Sequence, residues 1–151
     1  MPKQFEPVSL HASRRGHGIQ KWANDVVPTG ADQVLTDATM YFDITEGEQV
    51  HITRMSLSTN CDGNVVTDAS HFNMVSCDAV AAGGTATDLC GHVVVSQASS
   101  NRGQILKEWI FDPPIRVTYT SGARSVSMLV NSGPVTGLFT GTWQGWYDRE
   151  I

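Results

Sequence analysis

The sequence predicts an all-β fold: a single antiparallel β-sandwich, jelly-roll-like, with an extended N-terminal arm. From residue 33 onward, apolar residues recur at every second position in short runs, and a period of two is the signature of a β-strand. Turns rich in Gly, Pro, Asn and Asp separate about eight such runs, as they do in sandwiches and barrels. No sustained helical stripe lies between the runs, which disfavours a parallel α/β sheet.

The segment 135–147 shows the clearest alternation. One face carries Val135, Gly137, Phe139, Gly141, Trp143, Gly145 and Tyr147, and the other carries Thr136, Leu138, Thr140, Thr142, Gln144 and Trp146. Glycine weakens a strand, so its repeated use indicates that another backbone approaches closely or that rings lie over the bare positions. Two interpretations of the tryptophans stay open. Either one ring anchors the core while the other covers an edge, or one face is a contact surface.

Shorter runs supply the remaining strands, which we predict over 40–44, 50–57, 72–77, 92–98 and 105–111. Met55 and Leu57 are out of phase with Val50 and Ile52, which predicts a β-bulge near Thr53-Arg54. Proline cannot donate to a ladder, so 112–114 is predicted to end the strand before it. The runs 115–120 and 125–130 are predicted to pair as a hairpin.

We predict two regions, an arm over residues 1–30 and a sandwich domain over 31–151. Prolines and glycines interrupt the arm, where the one helical feature is a possible turn around 19–27. The arm is apolar enough to pack, either across its own sheet or on a neighbouring subunit. Residues 1–22 carry four basic residues and one acidic residue, a charge of +3, which leaves −8 for the rest of a chain of net charge −5.

Composition narrows the function classes. Charged residues make up 17% of the chain, below the usual ~25%, which is typical of a protein that covers part of its surface with partners. No run approaches the ~18 apolar residues of a membrane span, and the N-terminus lacks the apolar segment of a signal peptide. Three cysteines, an odd number, favour synthesis in a reducing cytoplasm. The acidic body disfavours a nucleic-acid partner.

The sequence predicts no catalytic residue, metal or cofactor, because it contains none of the nucleophile-elbow, P-loop, dinucleotide-binding or zincin motifs. Zinc is considered for Cys61, His71, Cys77, Cys90 and His92. Structural zinc sites usually show paired ligand spacing, and no C-x₂-C pair occurs here. We therefore expect small buried thiols and surface histidines, and a protein that is not an enzyme.

The residues predicted to bind partners are Phe5, Leu10, Arg14, Arg15, Lys21, Trp22, Trp143, Trp146 and Tyr147. A lone sandwich behind an arm, Met1 to Gly30, with strands rich in Ser and Thr such as Val117-Thr118-Tyr119-Thr120, resembles the decoration (cement) proteins of tailed-phage capsids. The resemblance implies a virion protein made in the host cytoplasm. It also implies a homo-oligomer, dimer or trimer, that binds and stabilises capsid subunits through its arm and aromatic surface.

The alternative is a carbohydrate-binding module or lectin-like sandwich. Trp109, Trp143, Trp146 and Tyr147 would then stack on sugar rings. The missing secretion signal and the odd number of thiols count against this alternative.

Overall fold

The computed structural model describes the backbone of residues 15–26, 33–59, 70–90, 93–95, 105–132 and 139–149. Side chains are described over 18–21, 34–56, 72–90, 108–130 and 141–149. All the regular secondary-structure elements in these ranges are β-strands, and they form two antiparallel sheets packed face to face. Within the same ranges there is no helix of the length and apolarity needed to cross a membrane. The predicted all-β sandwich is confirmed.

The first sheet has four strands. They are β1 (Arg15–Val26), β4 (Glu48–Thr59), β8 (Ile105–Thr118) and β10 (Phe139–Arg149), in the spatial order β1-β10-β4-β8. The centre of the second sheet is the pair β5 (Ser70–Cys77) and β9 (Ser125–Ser132). Short strands flank this pair: β2 (Gln33–Val34) and β3 (Phe42–Asp43) on β9, and β6 (Ala86–Asp88) and β7 (Val93–Val95) on β5.

The connectivity is that of a jelly roll. Because β2 and β3 share one edge of β9, and β6 and β7 share one edge of β5, each pair occupies a single strand position. The chain then has eight strand positions, and the first pairs with the last, the second with the second-last, and so on. The pairs are β1 with β10, β2/β3 with β9, β4 with β8, and β5 with β6/β7. A long antiparallel ribbon folded around the core has this pairing, which gives the two-sheet jelly roll.

The core lies between the two sheets and is built from alternating inward residues of both. Trp143 of β10 is fully buried at its centre, and its indole N–H donates to the carbonyl oxygen of Met40 at 2.6 Å. The other large side chains with almost no exposure are Met40, Ile44, Ile52, Met55, Phe72, Met74 and Met128. Gly141 leaves room for two of these methionines, since a Cβ there would lie 3.0 Å from Met128 Sδ. Trp143 is therefore the ring that anchors the core.

A β-bulge interrupts the β4–β10 ladder at the predicted place. Gln144 faces Arg54, but the next residue, Gly145, faces Ile52, so Thr53 is the extra residue. The Thr53 hydroxyl donates to the carbonyl oxygen of Gln144 at 3.2 Å. This hydrogen bond satisfies a carbonyl group that the bulge would leave without a partner. A Cβ on Gly145 would collide with the carbonyl oxygen of His51, so this position requires glycine. The predicted bulge and the close backbone approach are both confirmed.

The arm is corrected where the structure describes it. The predicted turn around 19–27 is wrong, because residues 15–26 form β1 and pair antiparallel with β10. Ile19 of β1 is 7% exposed and belongs to the core, so this segment lies along its own sheet. The remainder of the predicted arm, 1–14 and 27–30, lies outside the described residues. The domain boundary at residue 30 stays a prediction.

Two further predictions about β8 and β9 are wrong. Runs 115–120 and 125–130 do not pair as a hairpin, because β8 pairs with β4 in one sheet and β9 with β5 in the other. The chain crosses between sheets here, with one bridge between Thr120 and Ala123. The prolines at 112–114 do not end the strand either. Among the described strands, β8 lies at the edge of the sheet with a ladder partner on one side, so it tolerates residues without an N–H.

Candidate protein-contact face

The face of the first sheet that points away from the core carries a mixed polar and aromatic surface, which we call the outer face. Its described side chains are Gln20 of β1; Thr142, Gln144, Trp146 and Asp148 of β10; Gln49, His51, Arg54 and Ser56 of β4; and Glu108, Ile110, Arg116 and Thr118 of β8. Directly paired residues point to the same side of an antiparallel sheet, so the ladder arranges them in rows. The central row runs Trp146, His51, Arg116 across three strands.

The central row contains a stacked pair of rings beside a carboxylate. The rings of Trp146 and His51 are parallel to within 10°, with centroids 4.8 Å apart. Asp148 lies two residues further along β10 on the same face, and its Oδ2 is 2.9 Å from His51 Nε2. The side chains of His51 and Asp148 are 17% and 23% exposed. The two atoms are not aligned for a hydrogen bond. They form an ion pair when the imidazole is protonated.

The other charged groups of the outer face contact polar neighbours within the same face. Arg54 forms an ion pair with Glu108, and the Nε–H of Arg116 donates to Gln49 Oε1 at 2.5 Å. Ser56 and Thr142, which are paired across β4 and β10, share a hydrogen bond between their hydroxyls. These contacts orient the side chains of a largely neutralised surface.

Ile110 adds apolar area to this face. It is 75% exposed and lies opposite Arg54 on β8, in the row next to that of Trp146. Strand spacing and rise place these two residues roughly 12 Å apart. A single exposed apolar residue is ordinary on a protein surface. Trp146 and Ile110 together give the outer face two apolar positions surrounded by polar groups.

The predicted partner-binding residues whose side chains are described do not share one face of the sheet. Trp143 is buried in the core and does not present its ring to a partner. Tyr147 is half-buried on the inner side, where its ring packs 5.3 Å from that of Phe42, and Lys21 Nζ lies 6.0 Å from the same Phe42 ring. Of the four predicted residues whose side chains are described, Trp146 alone lies on the outer face. Phe5, Leu10 and Arg14 lie outside the described residues, and Arg15 and Trp22 are described in their backbone alone.

The predicted set did not include the residues of the face around Trp146, among them His51, Ile110 and Arg116. Each stands at an outward position of an alternating run, so the period of two places it on a surface. Which of these outward positions adjoin Trp146 depends on the pairing of β10 with β4 and of β4 with β8. That pairing is long-range, and the local pattern does not encode it.

A second polar cluster ties the start of β4 to the end of β10. Glu48 is 5% exposed and accepts hydrogen bonds from the Thr45 N–H at 3.0 Å and from Arg149 Nε and Nη2 at 3.0 and 2.8 Å. Burial alone would raise the pKa of this carboxyl, but the bonds from Thr45 and Arg149 outweigh it and lower the pKa below its usual value. The cluster stabilises the fold and lies apart from the outer face.

Of the five zinc candidates, the structure describes the side chains of Cys77 and Cys90. Burial raises the pKa of both thiols, which favours the neutral form over the thiolate that binds metals. Cys90 donates to Asn73 Oδ1 at 2.8 Å. Among the residues whose side chains are described, no three His, Cys, Asp or Glu come together as a metal site.

No family model matches the chain, and no curated protein matches it. Two solved structures are similar to it, each at 10% sequence identity. They are structures of infectious bursal disease virus, Gt strain at a TM-score of 0.29 and Gx strain at 0.31. The match covers 89% and 90% of this chain but 36% of each viral chain, so the protein spans about a third of their length. A likeness at this TM-score carries no conclusion about function.

Proposed function

We propose that this protein is a non-enzymatic structural protein of a virion, a capsid decoration protein that binds capsid subunits through the outer face. The observation that carries the proposal is the central row, in which the half-buried Trp146 and His51 lie among neutralised polar groups on the outside of a rigid sheet. Protein contact surfaces are often built in this way, with an aromatic anchor inside a polar rim. The fold by itself does not decide the function, since jelly rolls serve several.

The structure of the outer face supports binding rather than catalysis. Arg54 and Glu108 pair with each other, and Asp148 lies against His51. Because these opposite charges lie against each other, the surface carries little net charge. A partner would be recognised by its shape and by the arrangement of its charges. The strands beneath it hold the face rigid, so a partner meets a preformed surface and loses little conformational entropy on binding.

The experiment that tests the proposal is an add-back assay on virions of the source virus. Particles stripped of this protein are incubated with wild-type protein and with the outer-face variants Trp146→Asp and Ile110→Asp. Wild type should co-sediment with particles at a fixed stoichiometry and raise their melting temperature, and both variants should lose at least tenfold in affinity. Val80→Asp is the matched control, because Val80 is also exposed, at 59%, but lies outside the outer face, and it should bind as wild type. Absence of the protein from purified particles would refute the proposal.

Native mass, measured by light scattering after size exclusion, tests the proposed oligomer. A defined dimer or trimer supports an assembly role. If Trp146→Asp or Ile110→Asp dissociates that oligomer, the outer face is a contact between copies of this chain. In that case capsid binding must use another surface.

A carbohydrate-binding module remains the second candidate, and one observation favours it. Trp146 lies on the outer face beside amide and hydroxyl side chains, such as those of Gln144 and Thr142, that bind sugar hydroxyls. The other proposed stacking residues favour it less, since Trp143 is buried and Trp109 and Tyr147 pack against the core. A glycan panel read by tryptophan fluorescence separates the two candidates. A saturable shift with wild type that is lost in Trp146→Phe supports sugar binding.

A further inference from the structure

The ring stack on the outer face contains a histidine that lies against a carboxylate. Histidine is the side chain that ordinarily titrates between pH 5 and 8. His51 is enclosed by a ring on one side and a carboxylate on another, since its ring lies 4.8 Å from that of Trp146 and its Nε2 lies 2.9 Å from Asp148 Oδ2. Both Nε2 of His51 and Oδ1 of Asp148 are shielded from water. A change of charge on His51 is therefore felt by both neighbours.

A protonated imidazole at this position makes two contacts that a neutral one does not. Protonated His51 forms an ion pair with Asp148, because its Nε2 lies 2.9 Å from Asp148 Oδ2 and both side chains are largely shielded from water. The imidazolium also lies over the electron-rich face of Trp146, which is the geometry of a cation–π contact. Protonation should thus tighten the cluster and change the environment of the indole.

The other charged side chains described around His51 contact partners of their own. Arg116 is the ladder partner of His51 on β8, but its guanidinium is turned to Gln49. Arg54 follows on β4 and pairs with Glu108 of β8. On β1, the described outward residues Gly18 and Gln20 are uncharged, and Arg15 is the backbone partner of Asp148. The charges of Arg54, Arg116, Glu108 and Asp148 sum to zero, so protonated His51 gives this described group of side chains a net charge of +1.

We propose that His51 is a pH-sensitive element of the outer face, and that its protonation locks the Trp146–His51–Asp148 cluster and adds a positive charge to the surface that contacts a partner. The effect on partner binding rests on the proposed function, whereas the response of the cluster itself does not. Binding to a capsid would then differ between neutral and mildly acidic conditions.

The test is an NMR titration of the full chain between pH 8 and pH 5, with the histidine and tryptophan ring signals assigned by His51→Gln and Trp146→Phe. The Trp146 ring signals should shift with the same midpoint as those of His51, and this shift should disappear in His51→Gln. The indole N–H of Trp143, bonded to Met40, reports on the core and should stay in place in every variant. Trp146 signals that titrate unchanged in His51→Gln would overturn the proposal.

A double-mutant cycle between His51→Gln and Asp148→Asn gives a second readout. At pH 5.5 the coupling should change the unfolding equilibrium constant by about twofold to fivefold, the range for partly exposed pairs, and at pH 8 it should be absent. Equal coupling at both pH values would overturn the switch. Particle binding at pH 7.5 and 5.5 tests the link to function, since wild type should change its affinity and His51→Gln should not. Wild type that binds at neither pH, while the NMR response persists, refutes the proposed function and leaves the switch standing.

Discussion

Removal of the Trp143 ring is the sharpest test of the core. An aromatic side chain of this kind buries about 150–250 Å², and at roughly 25 cal/mol per Å² its burial is worth about 4–6 kcal/mol. Trp143→Ala should therefore remove from about a third to all of the stability of a domain with a typical unfolding free energy of about 5–15 kcal/mol. Trp143→Phe keeps most of the ring but leaves the carbonyl oxygen of Met40 without its donor, which costs about 1–3 kcal/mol.

The measurement is urea unfolding, followed by circular dichroism so that the removed fluorophore does not bias the signal. Trp146→Ala is the matched control, since it removes the same ring from the outer face and should cost about 1 kcal/mol. Equal losses for Trp143→Ala and Trp146→Ala would refute the assignment of one ring to the core and the other to the surface. So would a Trp143→Phe variant as stable as wild type.

Three further predictions concern glycines, a carboxylate and β1. Gly145→Ala should prevent native folding, because the added Cβ would collide with the backbone of β4. Gly141→Ala should cost less than about 1–3 kcal/mol, because the flexible ends of the neighbouring methionine side chains can move aside. Thermal melts of the two variants compare these costs. Glu48→Gln should cost about 1–2 kcal/mol at pH 7 in urea unfolding. Because the folded pKa is lowered, this difference should begin to shrink near the ordinary glutamate pKa of about 4.3 and disappear as the pH falls through the lower folded pKa. A difference that does not change with pH would contradict the electrostatic origin. Deletion of residues 1–14 should leave a folded sandwich. Deletion of residues 1–24 removes most of β1 and should lower the melting temperature sharply. Equal melting temperatures for the two deletions would place β1 outside the stable fold.

Local alternation was enough to predict the inward residues. Val126, Met128 and Val130 alternate with serine, leucine and asparagine, and all three are buried in the core. The break in phase between Ile52 and Met55 predicted the bulge because inserting one residue shifts every later side chain to the opposite face. These features depend on the chain's own geometry, which a sequence carries directly.

The pairing of strands was less accessible. The sequence near β1 contains Gly16 and Gly18, which read as breaks, yet the strand forms because β10 offers a whole edge for pairing. The hairpin prediction for 115–130 failed because two adjacent alternating runs look alike whether they pair with each other or cross between sheets. For the same reason the sequence identified Trp146 as a candidate contact residue but did not place His51 beside it.

The position of β10 between β1 and β4 has a consequence for the order of folding. During synthesis, β10 leaves the ribosome after every strand with which it packs. Until then β1 and β4 both expose unpaired edges towards the missing strand, and the slot for Trp143 is empty. Closure of the core must wait for this late, long-range insertion, which predicts slow folding and a nascent chain that depends on protection from edge-to-edge aggregation.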